Sequence, residues 1–231
     1  MNPINDKFFF LKKFLSYLVP YRIEQQSGKV TPILEVTLES GKLVLNTDKV
    51  NYSYGSLGEI FERTFKQIEL TKRKVNKALI LGFGVGNVAS LIEKSCTGSK
   101  IIGVDFDEVV IELGKKYFST EKIKNLTVHH ADAYDFILKH KDSYDLIVVD
   151  LFVDDYTPTR FSEKIIMEAI EKNLSKNGLV CFNRFVNTEK NKAYTLELIQ
   201  SITAVFKQYT LKEITINDVT SWVIICDRKN N

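Results

Sequence analysis

At 231 residues the chain has room for one full α/β domain with a small appendage and not for a second large domain. Its 32 basic and 29 acidic residues give a formal charge of +3 and are interspersed, which describes a solvated surface rather than the clustered Lys and Arg of a nucleic-acid footprint. No apolar run approaches the roughly 18 residues that a membrane span requires. The three cysteines, Cys96, Cys181 and Cys226, are odd in number and far apart, and are expected as buried free thiols in a reducing cytoplasm, not as disulfides or metal ligands.

The first predicted element is a helix within Lys7 to Val19, where Leu11, Phe14, Leu15 and Leu18 share a face and Pro20 stops the run. Lys12 and Lys13 interrupt its apolar stretch and no small-residue cleavage site follows, so it reads as a helix docked on the protein or on a partner rather than as a signal peptide; an interfacial membrane anchor is the alternative. From Tyr21 to about Asn51 the period changes. Ile33 to Glu39 alternates, Ser40-Gly41 turns and Lys42 to Asn46 returns, a hairpin that must pack on the main domain or a second subunit. An aromatic helix and a hairpin with more apolar surface than a small segment can bury predict a homodimer. Leu57 to Glu69 follows as an amphipathic helix with Ile60, Phe61, Thr64, Phe65 and Ile68 inside. Residues 1–56 are therefore expected as an N-terminal helix and β-rich segment, and 57–231 as the main domain.

The chain is organised around Ala78-Leu-Ile-Leu-Gly-Phe-Gly-Val-Gly-Asn87. Four apolar residues suit a buried parallel strand, and Gly82, Gly84 and Gly86 allow backbone conformations and close approaches that a Cβ would block. A helix then opens at Val88, so the turn aims free amides and a helix N-terminus at whatever sits above it. The second strand, Lys100 to Val104, ends at Asp105, about 20 residues beyond the glycines, where a nucleotide fold places a carboxylate for ribose hydroxyls. Asn87 stands where the dinucleotide pattern G-x-G-x-x-G has its third glycine, which argues against a nicotinamide enzyme.

Beyond it, a third strand is predicted from Asn125 to a strand end at Asp132 and Ala133, after a helix over Glu108 to Phe118. A helix over Ala133 to Lys139 leads to a fourth strand, Tyr144 to Asp150. The alternation predicts a doubly wound, mostly parallel sheet. Phe152 to Pro158 is a polar loop at a strand's carboxyl end. Phe161 to Leu174 reads as a helix closed by Asn177-Gly178, Leu179 to Asn183 as a fifth strand, and Lys190 to Phe206 as a helix. Tyr209 to Ile216 and Ser221 to Cys226 read as a closing antiparallel pair. Asn183 and Arg184 face either the cleft or the surface on this reading, and Trp222 and Phe182 are core or sheet residues. His129 and His130 are adjacent on a strand and point to opposite faces, so no metal site is expected.

The G-x-G-x-G spacing resembles the first motif of class I S-adenosylmethionine-dependent transferases, and the whole of Ile33 to about Cys226 resembles the spermidine synthase family. Four stretches carry the likeness: Ala78 to Asn87, similar to V-L-I-I-G-G-G-D-G-G; Val104-Asp-Phe-Asp107 with Lys115-Lys-Tyr-Phe118, similar to V-E-I-D and a K-Y-F helix end; Ala131-Asp-Ala133, similar to G-D-A; and Tyr144 to Asp150, similar to Y-D-V-I-I-x-D. The resemblance implies a seven-stranded, Rossmann-like sheet. It also implies S-adenosylmethionine or its decarboxylated form as donor at Gly82, Gly84, Gly86, Asp105, Asp132 and Ala133, with Asp132 meeting the adenine amino group. Asp150 would be the reaction-side carboxylate, and Asp154, Asp155 and Tyr156 would hold a small-molecule acceptor, an amine in that family.

The departures fall on the amine chemistry. Val85 stands where the family has the Asp that holds the donor's aminopropyl end, Ile60-Phe61-Glu62 lacks the Tyr of a Tyr-His/Gln-Glu motif, and Asp154 is shifted by one from the second acid of D-x-x-D-P. Aminopropyl transfer to an amine, methyl transfer to a small molecule and a non-catalytic nucleoside-binding relative all stay open. Asp150 itself either faces the reaction or only caps the turn after its strand.

Overall fold

The computed structural model describes residues 9–29, 31–47, 51–53, 56–152, 157–216 and 218–228. Helix α1 (Phe9–Leu15) precedes four strands, β1 (Tyr21–Gln26), β2 (Leu34–Glu39), β3 (Lys42–Thr47) and β4 (Asn51–Ser53), which form an antiparallel sheet in sequence order. The β2–β3 hairpin turns at Ser40 and Gly41, both with positive φ, and the turn is clamped to the end of α1: Ser40 N donates to Ser16 O and Gly41 N to Ser16 Oγ, each at 2.9 Å.

The second sheet has seven strands in the order β10-β11-β9-β8-β5-β6-β7. Its parallel body is β5 (Lys77–Leu81), β6 (Lys100–Asp105), β7 (Leu126–His130), β8 (Tyr144–Val149) and β9 (Leu174–Phe185); β11 (Val219–Asp227) runs antiparallel to β9 and to β10 (Thr210–Ile216). Ala78 to Leu81 and Leu146 to Val149 are buried on both faces, as central strands covered by helices must be. Helices α2 (Ser56–Gln67), α3 (Asn87–Ser95), α4 (Glu108–Phe118), α5 (Ala133–Lys139), α6 (Lys164–Asn173) and α7 (Glu189–Thr203) complete the layers. One core joins Ile60, Phe61 and Phe65 of α2 to one face of the sheet; the other joins Ile166, Met167 and Leu198 of α6 and α7 to the opposite face. Because β5 continues outward to β6 and β7 while β8 returns to its other side, the strand order reverses between β5 and β8, which leaves a crevice above their carboxyl ends.

The small sheet packs on α4. Leu34, Val36 and Leu45 share a cluster with Val85, Val110, Leu113 and Tyr117, and Lys29 N donates to Asp107 Oδ2 at 2.7 Å. Asp107 also caps α4 by accepting from Val109 N at 3.0 Å. The hairpin thus buries its apolar side on the main sheet's own helix. The α1 face is different: Phe10, Leu11, Phe14, Leu15 and Leu18 are all exposed, Leu18 to 79%.

Three expectations need correction. The helix expected over Phe161 to Leu174 is two elements, a 3-10 turn over Thr159–Ser162 and then α6, because Glu163 between them is extended, with ψ 141°. Asn177-Gly178 does not close that helix. It lies inside β9, which starts at Leu174, and a Cβ on Gly178 would stand 2.7 Å from Tyr144 O across the irregular start of the β8–β9 pairing. The third strand ends at His130, with Asp132 two residues beyond as the cap of α5.

All three cysteines are buried and free. Among the described residues no helix is long and apolar enough to cross a membrane, and no group of three or more His, Cys, Asp or Glu is placed to hold a metal ion.

Candidate active site

The glycine turn after β5 is built on its neighbours. Gly82 has φ +89°, and a Cβ there would lie 2.0 Å from Asp150 O, so only glycine lets the end of β8 pass so close. Its amide and that of Phe83 both donate to Val104 O at 3.0 Å, which ties the turn to β6. Gly84 has φ +56° and nothing within 4 Å of where its Cβ would be, so its open side faces the crevice. Gly86, with φ +88°, is the N-cap position of α3 and packs toward Thr120. It shapes the turn without lining the crevice.

Asp105 closes the end of β6 over this turn. Its Oδ2 accepts from Gly84 N at 2.7 Å and its Oδ1 from Asp107 N at 3.0 Å. Burial pushes its carboxyl up to about 6, against the pull of those amides. Asp132 caps α5, accepting from Tyr134 N at 2.8 Å, and its second oxygen pairs with Arg160 Nη2 at 2.7 Å. Burial raises the Asp132 carboxyl, but the Arg160 guanidinium and the Tyr134 amide outweigh it and leave it below the ordinary value. Arg160 also lies over the Tyr134 and Phe161 rings, 5.2 Å from each centroid.

Asp150 stands at the end of β8, half-buried, and accepts a hydrogen bond from Asn183 Nδ2 on β9 at 3.0 Å. Burial pushes its carboxyl up to about 6; the Asn183 amide and the Arg184 charge pull it down, while Asp105 pushes it up further. Asn183 is fully buried and Arg184 is 4% exposed, so the surface-pair alternative for these two residues is excluded. Arg184 Nη1 donates to Asn183 O at 3.1 Å.

Gly82, Gly84, Asp105, Asp132, Ala133 and Asp150 line one cavity of about 270 Å³, close to the lower size of a small-molecule site. Asp154, Asp155 and Tyr156 lie outside the described residues. The cavity also takes its walls from residues that sequence reasoning did not single out for binding: Thr31 from the connection between β1 and β2, Phe61 from α2, Phe152, Arg160 and Phe185. Their lining positions come from long-range packing; from the sequence Phe61 reads as the apolar side of its helix and stands at the family's Tyr-His/Gln-Glu motif, and Phe152 reads as the start of the loop after the fourth strand, neither as a wall of the cavity.

The fit to an adenosyl-sulfur donor is testable on this geometry. Gly84 leaves a space that a Cβ would fill, Asp105 presents a half-buried carboxylate beside it, and Asp132 and Ala133 stand one strand further at the helix start. A profile of the Spermine/spermidine synthase domain matches residues 64–230. The chain belongs to the spermine/spermidine synthase family. A probable polyamine aminopropyl transferase of Bifidobacterium longum is 26% identical over 131 residues, covering 57% of this chain and 29% of that protein. A fly protein, the eEF1A lysine and N-terminal methyltransferase homolog of Drosophila melanogaster, is 23% identical over 162 residues, covering 66% of this chain and 24% of its own length. Less than a third of either relative is thus spanned. Among solved structures, a spermidine synthase in complex with the transition-state analogue AdoDATO superposes with a TM-score of 0.75 over 91% of this chain and 75% of its own, at 15% identity. The likeness in structure bears on the fold, which is that of the spermidine synthase and class I methyltransferase sheet expected from the sequence.

Proposed function

We propose that this chain is a transferase that takes S-adenosylmethionine or its decarboxylated form into the cavity above Gly84 and delivers an alkyl group, in this family an aminopropyl group, to an amine held at Asp150. The observation that carries the reading is the pair of half-buried carboxylates, Asp105 and Asp150, at the ends of two strands on either side of the glycine turn. A sulfonium donor carries a positive charge, and its entry relieves the cost of holding two anions out of water. Asp105 accepts from the ribose hydroxyls, and Asp132 and Ala133 border the adenine end, where Arg160 must yield or share the Asp132 oxygen it now holds. The donor supplies an electrophilic carbon bound to sulfur; nitrogen attacks it, the carbon–sulfur bond breaks, and a neutral thioether leaves. Asp150 accepts a hydrogen bond from the attacking nitrogen, stabilises its growing positive charge and takes its proton. In this reading residues 57–231 carry the chemistry and 1–56 cover it.

One observation favours methyl transfer as a second reading. Val85, at the family's position for the acid that holds the aminopropyl end, is 3% exposed and packs with Leu34, Val36 and Leu45, so it offers no charge to the ammonium of a decarboxylated donor. A thermal-shift panel of S-adenosylmethionine, its decarboxylated form, methylthioadenosine and NAD separates the readings. A ligand at about 100 times its dissociation constant adds roughly 2.7 kcal/mol of stability. Preference for the decarboxylated donor supports aminopropyl transfer, preference for S-adenosylmethionine supports methyl transfer, and a shift with NAD alone defeats both. We further propose a cytoplasmic homodimer that covers the exposed α1 face; a monomeric mass by light scattering at micromolar concentration would end that idea.

A further inference from the structure

Behind the cavity wall lies a charge that the transfer chemistry does not use. Arg184 on β9 is 4% exposed; its Nη1 has one partner, Asn183 O, and its Nη2 has none among the described residues. No carboxylate among the described residues forms an ion pair with it, although Asp150 lies close enough for the two charges to act on each other. A guanidinium has five donors and stays charged in proteins. Held out of water with donors unfilled, it calls for an anion.

Nη2 itself is enclosed by protein, but other atoms of the side chain border an open space. Arg184 lines a small hollow with Thr157, Ser162, Tyr194 and Thr195, all of which carry hydroxyls, and with the Phe152 and Phe185 rings, whose centroids are 4.2 Å apart. The same two rings line the main cavity beside Asp150, so the ring pair is the only element named in both walls. The hollow offers about 20 Å³ to the centre of a water-sized group. One water needs on the order of 10–15 Å³ by that measure, so one or two oxygen atoms fit and a phosphate does not.

We propose that the acceptor is an amine that also carries a carboxylate, with the amine at Asp150 and the carboxylate on Arg184 past the Phe152–Phe185 pair. The inference rests on the transferase reading above and narrows its acceptor. A diamine that placed its second ammonium beside Arg184 would meet the guanidinium's like charge, where a carboxylate would pair with it. An amino acid satisfies both groups, and discrimination of this kind comes from the charge left unpaired by the wrong ligand.

The test uses the full chain, with and without methylthioadenosine, and two probe sets: short ω-amino acids such as 4-aminobutanoate, and diamines of the same chain length, each titrated by calorimetry. The amino acids are expected to bind at least about 10-fold tighter than the matched diamines, through a charge-assisted pair. Arg184→Gln should abolish that preference, Arg184→Lys should restore part of it, and neither should change the affinity for methylthioadenosine. Tighter diamine binding, an unchanged preference in Arg184→Gln, or no binding of any amino acid overturns the proposal. Should Arg184→Gln fail to fold, the wild-type preference and the Arg184→Lys titration decide it. Absence of methylthioadenosine binding would instead defeat the transferase reading, while the amino-acid titration made without it still reports on Arg184.

Discussion

The two ends of the cavity are built by opposite rules. At the glycine end every buried carboxylate oxygen that shapes the turn has a partner: Asp105 holds Gly84 and Asp107, and Asp107 holds Lys29 and the start of α4. At the Asp150 end the polar groups are incompletely paired. The buried side-chain atoms without a hydrogen-bond partner among the described residues are Asn183 Oδ1, Arg184 Nη2 and Ser221 Oγ. They lie on the neighbouring strands β9 and β11, where Ser221 pairs with Phe185 and Trp222 with Arg184 in register, and Asn183 and Arg184, adjacent on β9, point to opposite faces. A satisfied network fixes one geometry in advance, whereas unfilled donors and acceptors are costly until something completes them. The glycine end is thus fully paired as it stands, whereas the groups on β9 and β11 behind the Asp150 end keep unfilled donors and acceptors.

The largest expected effect breaks this comparison at Asp150. Asp150→Asn keeps the shape and can still accept from Asn183, but it loses the charge, so turnover should fall roughly 100-fold or more with affinity for the uncharged nucleoside methylthioadenosine nearly unchanged. The same variant tests the electrostatics. The folded-state carboxyl is raised to about 6, so its contribution to stability is complete below the unfolded value of about 4 and is lost as the pH rises through about 6. The ligand-free variant should therefore melt higher than wild type at pH 8, by roughly 1–3 kcal/mol, and the gain should vanish near pH 4. In wild type, kcat/KM should fall as the pH drops through about 6. Unchanged turnover would place the chemistry elsewhere in the cavity.

A smaller loss is expected at the other end. Asp105→Ala removes the acceptor of Gly84 N and the proposed ribose contact; donor affinity should weaken roughly 10- to 100-fold, the range for hydrogen bonds to a charged group. A donor titration that matches wild type would detach Asp105 from binding. The smallest effects sharpen the contrast in stability. Asp107→Ala strips a cap and the tie to Lys29 and should cost about 1–2 kcal/mol. Ser221→Ala removes a hydroxyl with no partner among the described residues and should change stability by less than about 1 kcal/mol, in either direction. Chemical denaturation measures both. If Ser221→Ala were the more damaging of the two, the paired and unpaired ends would have been misassigned.

Much of the glycine end was legible in the sequence, because its signals are local. A four-residue apolar run, alternating glycines and a carboxylate at the end of the next strand state a strand, a turn and a binding edge within about 30 residues, and the backbone has few other ways to satisfy them. The apolar runs from Lys77 to Val149 likewise fixed the strands of a parallel sheet, since only a doubly covered strand tolerates such continuity. Asn177-Gly178 misled because a glycine that relieves a close backbone contact inside a strand has the same local signature as one that ends a helix.

What only the tertiary structure decided is the company each side chain keeps. Asn183 reaches Asp150 across 33 residues because β9 is laid beside β8, and Arg160 reaches Asp132 across 28 because the 3-10 turn over Thr159–Ser162 lies beside the start of α5. The burial of Arg184 is of the same kind. Its strand pairs with β11 on one side and β8 on the other, and the helices above close over it. Sequence period tells which residues share a face, but whether a charge on that face meets water, an acid or an empty hollow depends on elements brought together from distant parts of the chain.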